Sequence, residues 1–129
     1  MTVVVGYIPN EHGEAALAAG LAEARRRGTD VVVVNATRGD AYVDPKYLGQ
    51  DAVASLEERL SAEDVATSVR QSLGADVAEE LVRVAGEVDA TLVVIGLRRR
   101  SPVGKMLMGS VAQRVLLEAP CPVLAVKAG

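Results

Sequence analysis

The sequence predicts an α/β fold built on a parallel sheet, and three observations carry that reading. Short β-branched runs recur at Val3-Val4-Val5, Val31-Val32-Val33-Val34 and Val93-Val94-Ile95, without the polar alternation of a half-exposed strand. Such runs suit strands covered on both faces. Between them lie segments whose apolar residues keep helical spacing. Strand and helix patterns then alternate along the chain, as in parallel sheets with crossover helices. The length of 129 residues matches one domain of roughly 100–200 residues. No linker, low-complexity tract or internal repeat interrupts it, so one domain over residues 1–129 is expected.

The first strand covers residues 2–8 and stops at Pro9-Asn10, because proline cannot donate to a central ladder. The first helix covers residues 14–27. Leu17, Leu21 and Ala24 share one face, with Ala16 and Gly20 beside them. Glu11 and Glu14 lie at its start and Arg25, Arg26 and Arg27 at its end, as the helix dipole favours. Gly28 supplies the stop. The second strand covers residues 31–36. Residues 37–50 form a polar loop with Gly39, Asp44-Pro45 and Gly49, of a length that marks a functional or mobile segment. A helix over 51–60 puts Val53, Leu56 and Leu60 on one stripe. Residues 65–70 alternate apolar and polar, which reads as a strand exposed on one side and near an edge. The clearest helix, 75–88, keeps Val77, Leu81, Val84, Ala85 and Val88 in period. A fourth strand over 92–95 ends at Gly96. A helix over 111–118 is ended by Pro120, and a fifth strand covers 122–127.

Composition removes several classes of function. Half of the residues are hydrophobic, yet there is no Phe or Trp and only three Tyr, so the core is built from Val, Leu, Ile and Ala. Single-stranded nucleic acid binding through base stacking lacks its aromatic platforms. A net charge of −3 gives no global attraction to nucleic acid or anionic lipid. Cys121, the only cysteine, lies between Pro120 and Pro122 and reads as a small buried hydrophobe, so no intrachain disulfide or multi-cysteine metal site is expected. His12, the only histidine, reads as a solvated loop residue ahead of the first helix. Nucleophilic triads need a histidine base, and nitrogen–sulfur metal sites need several ligands. The pairs Glu57-Glu58 and Glu79-Glu80 sit on helix surfaces, where adjacent residues do not face each other. No secretory leader or membrane span is read, and a cytoplasmic location is expected.

The chemistry gathers in residues 91–110. A buried strand ends at Gly96; Arg98, Arg99, Arg100 and Lys105 follow in a loop with Gly104; then Gly109-Ser110 opens a helix. A strand, a cationic loop and a helix N-terminus together suit an anion. The nucleotide-binding loop Gly-x4-Gly-Lys-Ser/Thr is not met: Met106 follows Gly104-Lys105, and Arg99 stands at the first glycine. The dinucleotide fingerprint is not met either, because Gly6 stands alone before Pro9. Ser110 and Gln113 have capping-box spacing. Ser110 is thus either a helix cap, worth about 1 kcal/mol, or a phosphate ligand together with the N–H groups of the first turn.

From Val3 to Lys127 the sequence resembles the universal stress protein family. The most specific part is Leu92-Val93-Val94-Ile95-Gly96 through Gly109-Ser110-Val111-Ala112-Gln113-Arg114-Val115, then Ala119-Pro120-Cys121-Pro122-Val123 before the last strand. The resemblance implies a three-layer sandwich of the adenine nucleotide alpha hydrolase-like kind, with a five-stranded parallel sheet in the order 3-2-1-4-5. It also implies a homodimer, here through Val123, Leu124, Ala125 and Val126. One branch of the family binds ATP through Gly-x2-Gly-x9-Gly-Ser/Thr. Gly96 and Gly109-Ser110 keep that spacing, while Arg99 replaces the second glycine and Ile8 stands where an Asp is frequent. The implied nucleotide-binding set is Gly96, Arg98, Arg99, Arg100, Gly104, Lys105, Gly109, Ser110 and Val111, with Ile8, Asn35 and Ala36 on the nucleoside side. The implied ligand is ATP or another adenine nucleotide, with Mg as its companion and no metal site in the protein itself. No catalytic residue is implied, and at most slow ATP hydrolysis. Arg99 and Arg100 either clamp phosphate by side chain or mark a nucleotide-independent interaction module of the same family.

Overall fold

The computed structural model describes residues 2–37, 48–74, 76–97 and 109–128. Along the chain, β1 (Thr2–Gly6) leads to α1 (Glu11–Arg27), β2 (Asp30–Thr37), α2 (Gln50–Ser61) and β3 (Thr67–Leu73). Then come α3 (Val77–Glu87), β4 (Ala90–Leu97), α4 (Ser110–Glu118) and β5 (Val123–Lys127). The strands form one sheet in the order β3-β2-β1-β4-β5, every pair parallel, as the family resemblance implies.

The valine runs occupy the middle of the sheet. Val4 lies opposite Val32 on one side and Val93 on the other. Successive side chains alternate between faces, so each run feeds two cores. Val3, Val5, Val31, Val33, Leu92 and Val94 pack with Leu17 and Leu21 of α1 and Leu56 and Leu60 of α2. Val4, Val32, Val34, Val93 and Ile95 pack with Leu81, Val84 and Ala85 of α3 and Ala112 and Val115 of α4. Burying each such side chain contributes about 1.5–3 kcal/mol. Small residues decide how close α1 lies: Ala16, Gly20 and Ala24, each one helical turn apart, are all buried. A Cβ on Gly20 would stand 2.3 Å from Cγ2 of Val5.

Several element ends differ from the sequence reading, each for a local reason. β1 stops at Gly6, short of Ile8. α1 begins three residues earlier than expected, because Asn10 is its cap and its side chain accepts from the N–H of Gly13 at 2.9 Å. It ends as expected at Gly28, left-handed at φ 66°. β3 runs from Thr67 to Leu73 instead of 65–70. Val65 is buried in the core beside α2, and pairing starts where the Ala66 carbonyl accepts from Val31 N–H at 2.9 Å. It extends to Leu73 because Thr37 of β2 is its partner there. β3 is at a sheet edge, as its alternation predicts. No helix among the described residues is long and apolar enough to cross a membrane.

Candidate functional site

The first connection leaves β1 towards β2, while β4 pairs on the other flank of β1. The strand order therefore reverses between β1 and β4, and the crevice of such a sheet lies outside the carboxyl ends of those strands. Two helices start there in sequence, α1 after β1 and α4 after β4.

The turn from β1 into α1 is tight. Asn10 N–H donates to the Ile8 carbonyl at 2.8 Å, and a Cβ on Gly13 would stand 1.8 Å from that same oxygen. Gly13 is therefore needed for the turn. It leaves Ile8 half-buried in the turn, two residues past the end of β1. The first turn of α1 then lies against the end of β4: a Cβ on Gly96 would be 2.2 Å from the His12 carbonyl oxygen. Ile8 and Gly96, two of the expected site residues, are thus held on either side of the same helical turn.

Gly109, extended at φ −66° and ψ 158°, is the cap of α4, and it supplies no side-chain hydrogen bond. The expectation that Ser110 caps the helix through the Ser110–Gln113 spacing is corrected here. Ser110 is the first helical residue, and Gln113 N–H pairs instead with the Gly109 carbonyl at 3.1 Å. Glycine as the cap offers no side chain of its own to the first N–H groups of α4, and a helix start of that kind favours an anion. Ser110 and Val111 are exposed at this start. Ala112, one residue on, packs in the cluster that contains Ile95 and Leu97, which ties the α4 start to the end of β4. Arg114 further fixes α4 by bonding Asp76, the cap of α3, at 2.9 Å. Arg98, Arg99, Arg100, Gly104 and Lys105 lie outside the described residues.

The two residues expected on the nucleoside side from β2 are both buried. Asn35 is fully buried, and its amide is engaged within the fold. Its Nδ2 donates to the Tyr7 carbonyl at 3.0 Å, while its Oδ1 accepts from Leu48 N–H at 3.0 Å and Gln71 Nε2 at 3.1 Å. Ala36 is buried in the core on the α3 side. These two positions shape the end of β2. Beside them the Tyr7 hydroxyl donates to Glu14, which also accepts from Arg59 at 3.0 Å. Burial first, and Glu14 second, push the Tyr7 phenol up to about 12.

His12 departs furthest from its sequence expectation. It stands inside the first turn of α1 rather than in a solvated loop, and its Nδ1 is buried with no hydrogen-bond partner among the described residues. The signal available in the sequence was Asn10 as a cap, which moves the helix start ahead of His12. Cys121 is half-buried rather than buried as its setting between two prolines suggests, and burial raises its thiol above the ordinary value. No group of three metal-ligating side chains occurs among the described residues.

Comparison with known proteins finds similarity along nearly the whole chain. The model of the universal stress protein family matches residues 1–127. A universal stress protein of Mycolicibacterium smegmatis is 50% identical over 125 residues, covering 97% of this chain and 96% of that one. The solved structure of a universal stress protein from Archaeoglobus fulgidus is similar with a TM-score of 0.81 and 31% identity, covering 98% of each chain. A structure described as the universal stress protein from the same organism in complex with dAMP has a TM-score of 0.69 and 29% identity, again covering 98% of each chain.

Proposed function

The chain belongs to the universal stress protein family, and on that premise we propose that it is a small regulatory protein of a stress response that binds ATP or AMP. It does so as a single domain over residues 1–129, in the cytoplasm. The observation that carries the reading is the α4 start: a glycine cap with no capping side chain, tied to the end of β4 at the point of strand reversal. The relative with bound dAMP supports a mononucleotide as ligand. Gly96, Gly109, Ser110 and Val111 surround the phosphates, with Arg98, Arg99, Arg100, Gly104 and Lys105 from the connecting segment. Ile8, Asn35 and Ala36 line the nucleoside side, Asn35 and Ala36 by fixing backbone rather than by offering side chains. The protein works by binding; any ATP hydrolysis is slow, and Mg enters only with the nucleotide. A ligand that binds only the folded state stabilises it, by about 2.7 kcal/mol at a hundred times its dissociation constant. AMP or ATP therefore raises the melting temperature, and chromatography of the denatured protein releases nucleotide. An unchanged melting temperature with either nucleotide, and none released, would refute this.

The edge strand β5 favours a second property, assembly into a homodimer. Val123, Leu124, Ala125 and Val126 make an apolar strand with no neighbour on its outer side among the described residues, and Leu124 is 37% exposed. A second copy paired antiparallel about a two-fold axis covers that edge. Light scattering reads a mass of two chains, with or without nucleotide; one chain at high concentration sinks the dimer.

A further inference from the structure

The only histidine of the chain stands at the strand reversal. A Cβ on Gly96 would be 3.1 Å from the His12 Cβ, so the imidazole leaves the main chain directly beside the end of β4. Its Nδ1 is shut off from solvent and, among the described residues, has no hydrogen-bond partner. The neighbouring polar side chains differ. Asn10 is engaged as the helix cap, and Glu14 bonds Tyr7 and Arg59. Folded proteins leave few buried polar atoms unpaired, and one that persists beside a crevice fits a partner that arrives from outside. The atom belongs to the first turn of α1, where the helix dipole favours a negative partner.

We propose that Nδ1 of His12 donates a hydrogen bond to a phosphate oxygen of the bound mononucleotide. The inference rests on the nucleotide-binding reading above and adds a side-chain contact to it. The contact requires a hydrogen on Nδ1, and no proton changes hands. His12 is a binding residue and not a catalytic one.

Because there is one histidine, its imidazole nitrogens are unambiguous in a spectrum of the 15N-labelled full chain. AMP is expected to move the Nδ1 resonance, and adenosine, which lacks phosphate, to leave it in place. By calorimetry His12→Ala weakens AMP about tenfold, the loss of one good hydrogen bond, and His12→Asn, which returns a donor near the Nδ1 position, stays within about threefold. Neither variant lowers the melting temperature of the ligand-free protein, since no internal bond is lost. AMP bound with an unmoved Nδ1 resonance, or equally well by His12→Ala, overturns the contact while nucleotide binding stands. A ligand-free melting temperature that falls in both variants makes His12 structural and overturns it too. Adenosine moving Nδ1 as far as AMP removes phosphate as the partner. Failure of the unaltered protein to bind AMP or ATP overturns both this contact and the nucleotide reading.

Discussion

Gly96 invites reading as a phosphate-approach glycine, yet its surroundings supply a different requirement. A methyl group there would lie 2.2 Å from the His12 carbonyl oxygen, and main-chain atoms on both sides leave little room to yield. Gly96→Ala is therefore expected to lose about 2–3 kcal/mol in urea unfolding without any ligand present. A glycine at that position reports helix–strand contact before it reports a nucleotide. Tyr7 gives a prediction in pH. Its neutral phenol is the form the fold holds, so its stabilisation is complete below the ordinary phenol value of about 10. It is lost as pH rises through about 12, the raised value. Tyr7→Phe should lose stability less steeply between those limits, and its absorbance titration should lack the component that ionises near pH 12. Neither Gly96 nor Tyr7 disclosed these contacts in sequence, because the partners are His12, 84 positions away, and Glu14 on another element.

Helices and strands were legible wherever one face set the pattern. The stripes Leu17-Leu21-Ala24 and Leu81-Val84-Ala85 are buried as their spacing predicts. Ends were less legible, because a neighbour sets them. β3 begins where β2 offers Val31 and continues to the partner of Thr37, so its own alternation locates it two to three residues off. Helix starts turned on a single cap, Asn10 for α1 and Gly109 for α4, and the two shifts changed the reading of His12 and of Ser110. Two glycines in helices test the packing account. Gly86 in α3 has open space where a Cβ would stand, so Gly86→Ala should add about 0.5–1 kcal/mol through helix propensity. Gly20→Ala gains the same propensity but drives a methyl into buried, branched Val5. Its expected net result is a loss of about 1–3 kcal/mol. Thermal unfolding of the two variants should show opposite signs.

The molecule as a whole has two unlike edges. The β3 edge carries Ser68, Arg70 and Ser72, which discourage strand addition; the β5 edge is nearly all apolar. Leu124→Lys should give a mass of one chain in light scattering, with nucleotide affinity within about twofold, since charge on the edge removes the pairing and not the crevice. A mass of two chains in that variant would place the contact elsewhere. The strand order itself was reachable only through family resemblance, because nothing in Val3-Val4-Val5 says that β4 is its second neighbour. That order also has a consequence for the chain while it is being made. Val4 meets Val32 early but meets Val93 only after most of the sequence exists. At roughly 5–20 residues per second of synthesis, the intervening stretch takes on the order of 3–12 s. Throughout that interval the future centre of the sheet has an open edge centred on Val3, Val4 and Val5. The nascent protein is thus open to wrong pairing at β1, a strand that is buried once the sheet is complete.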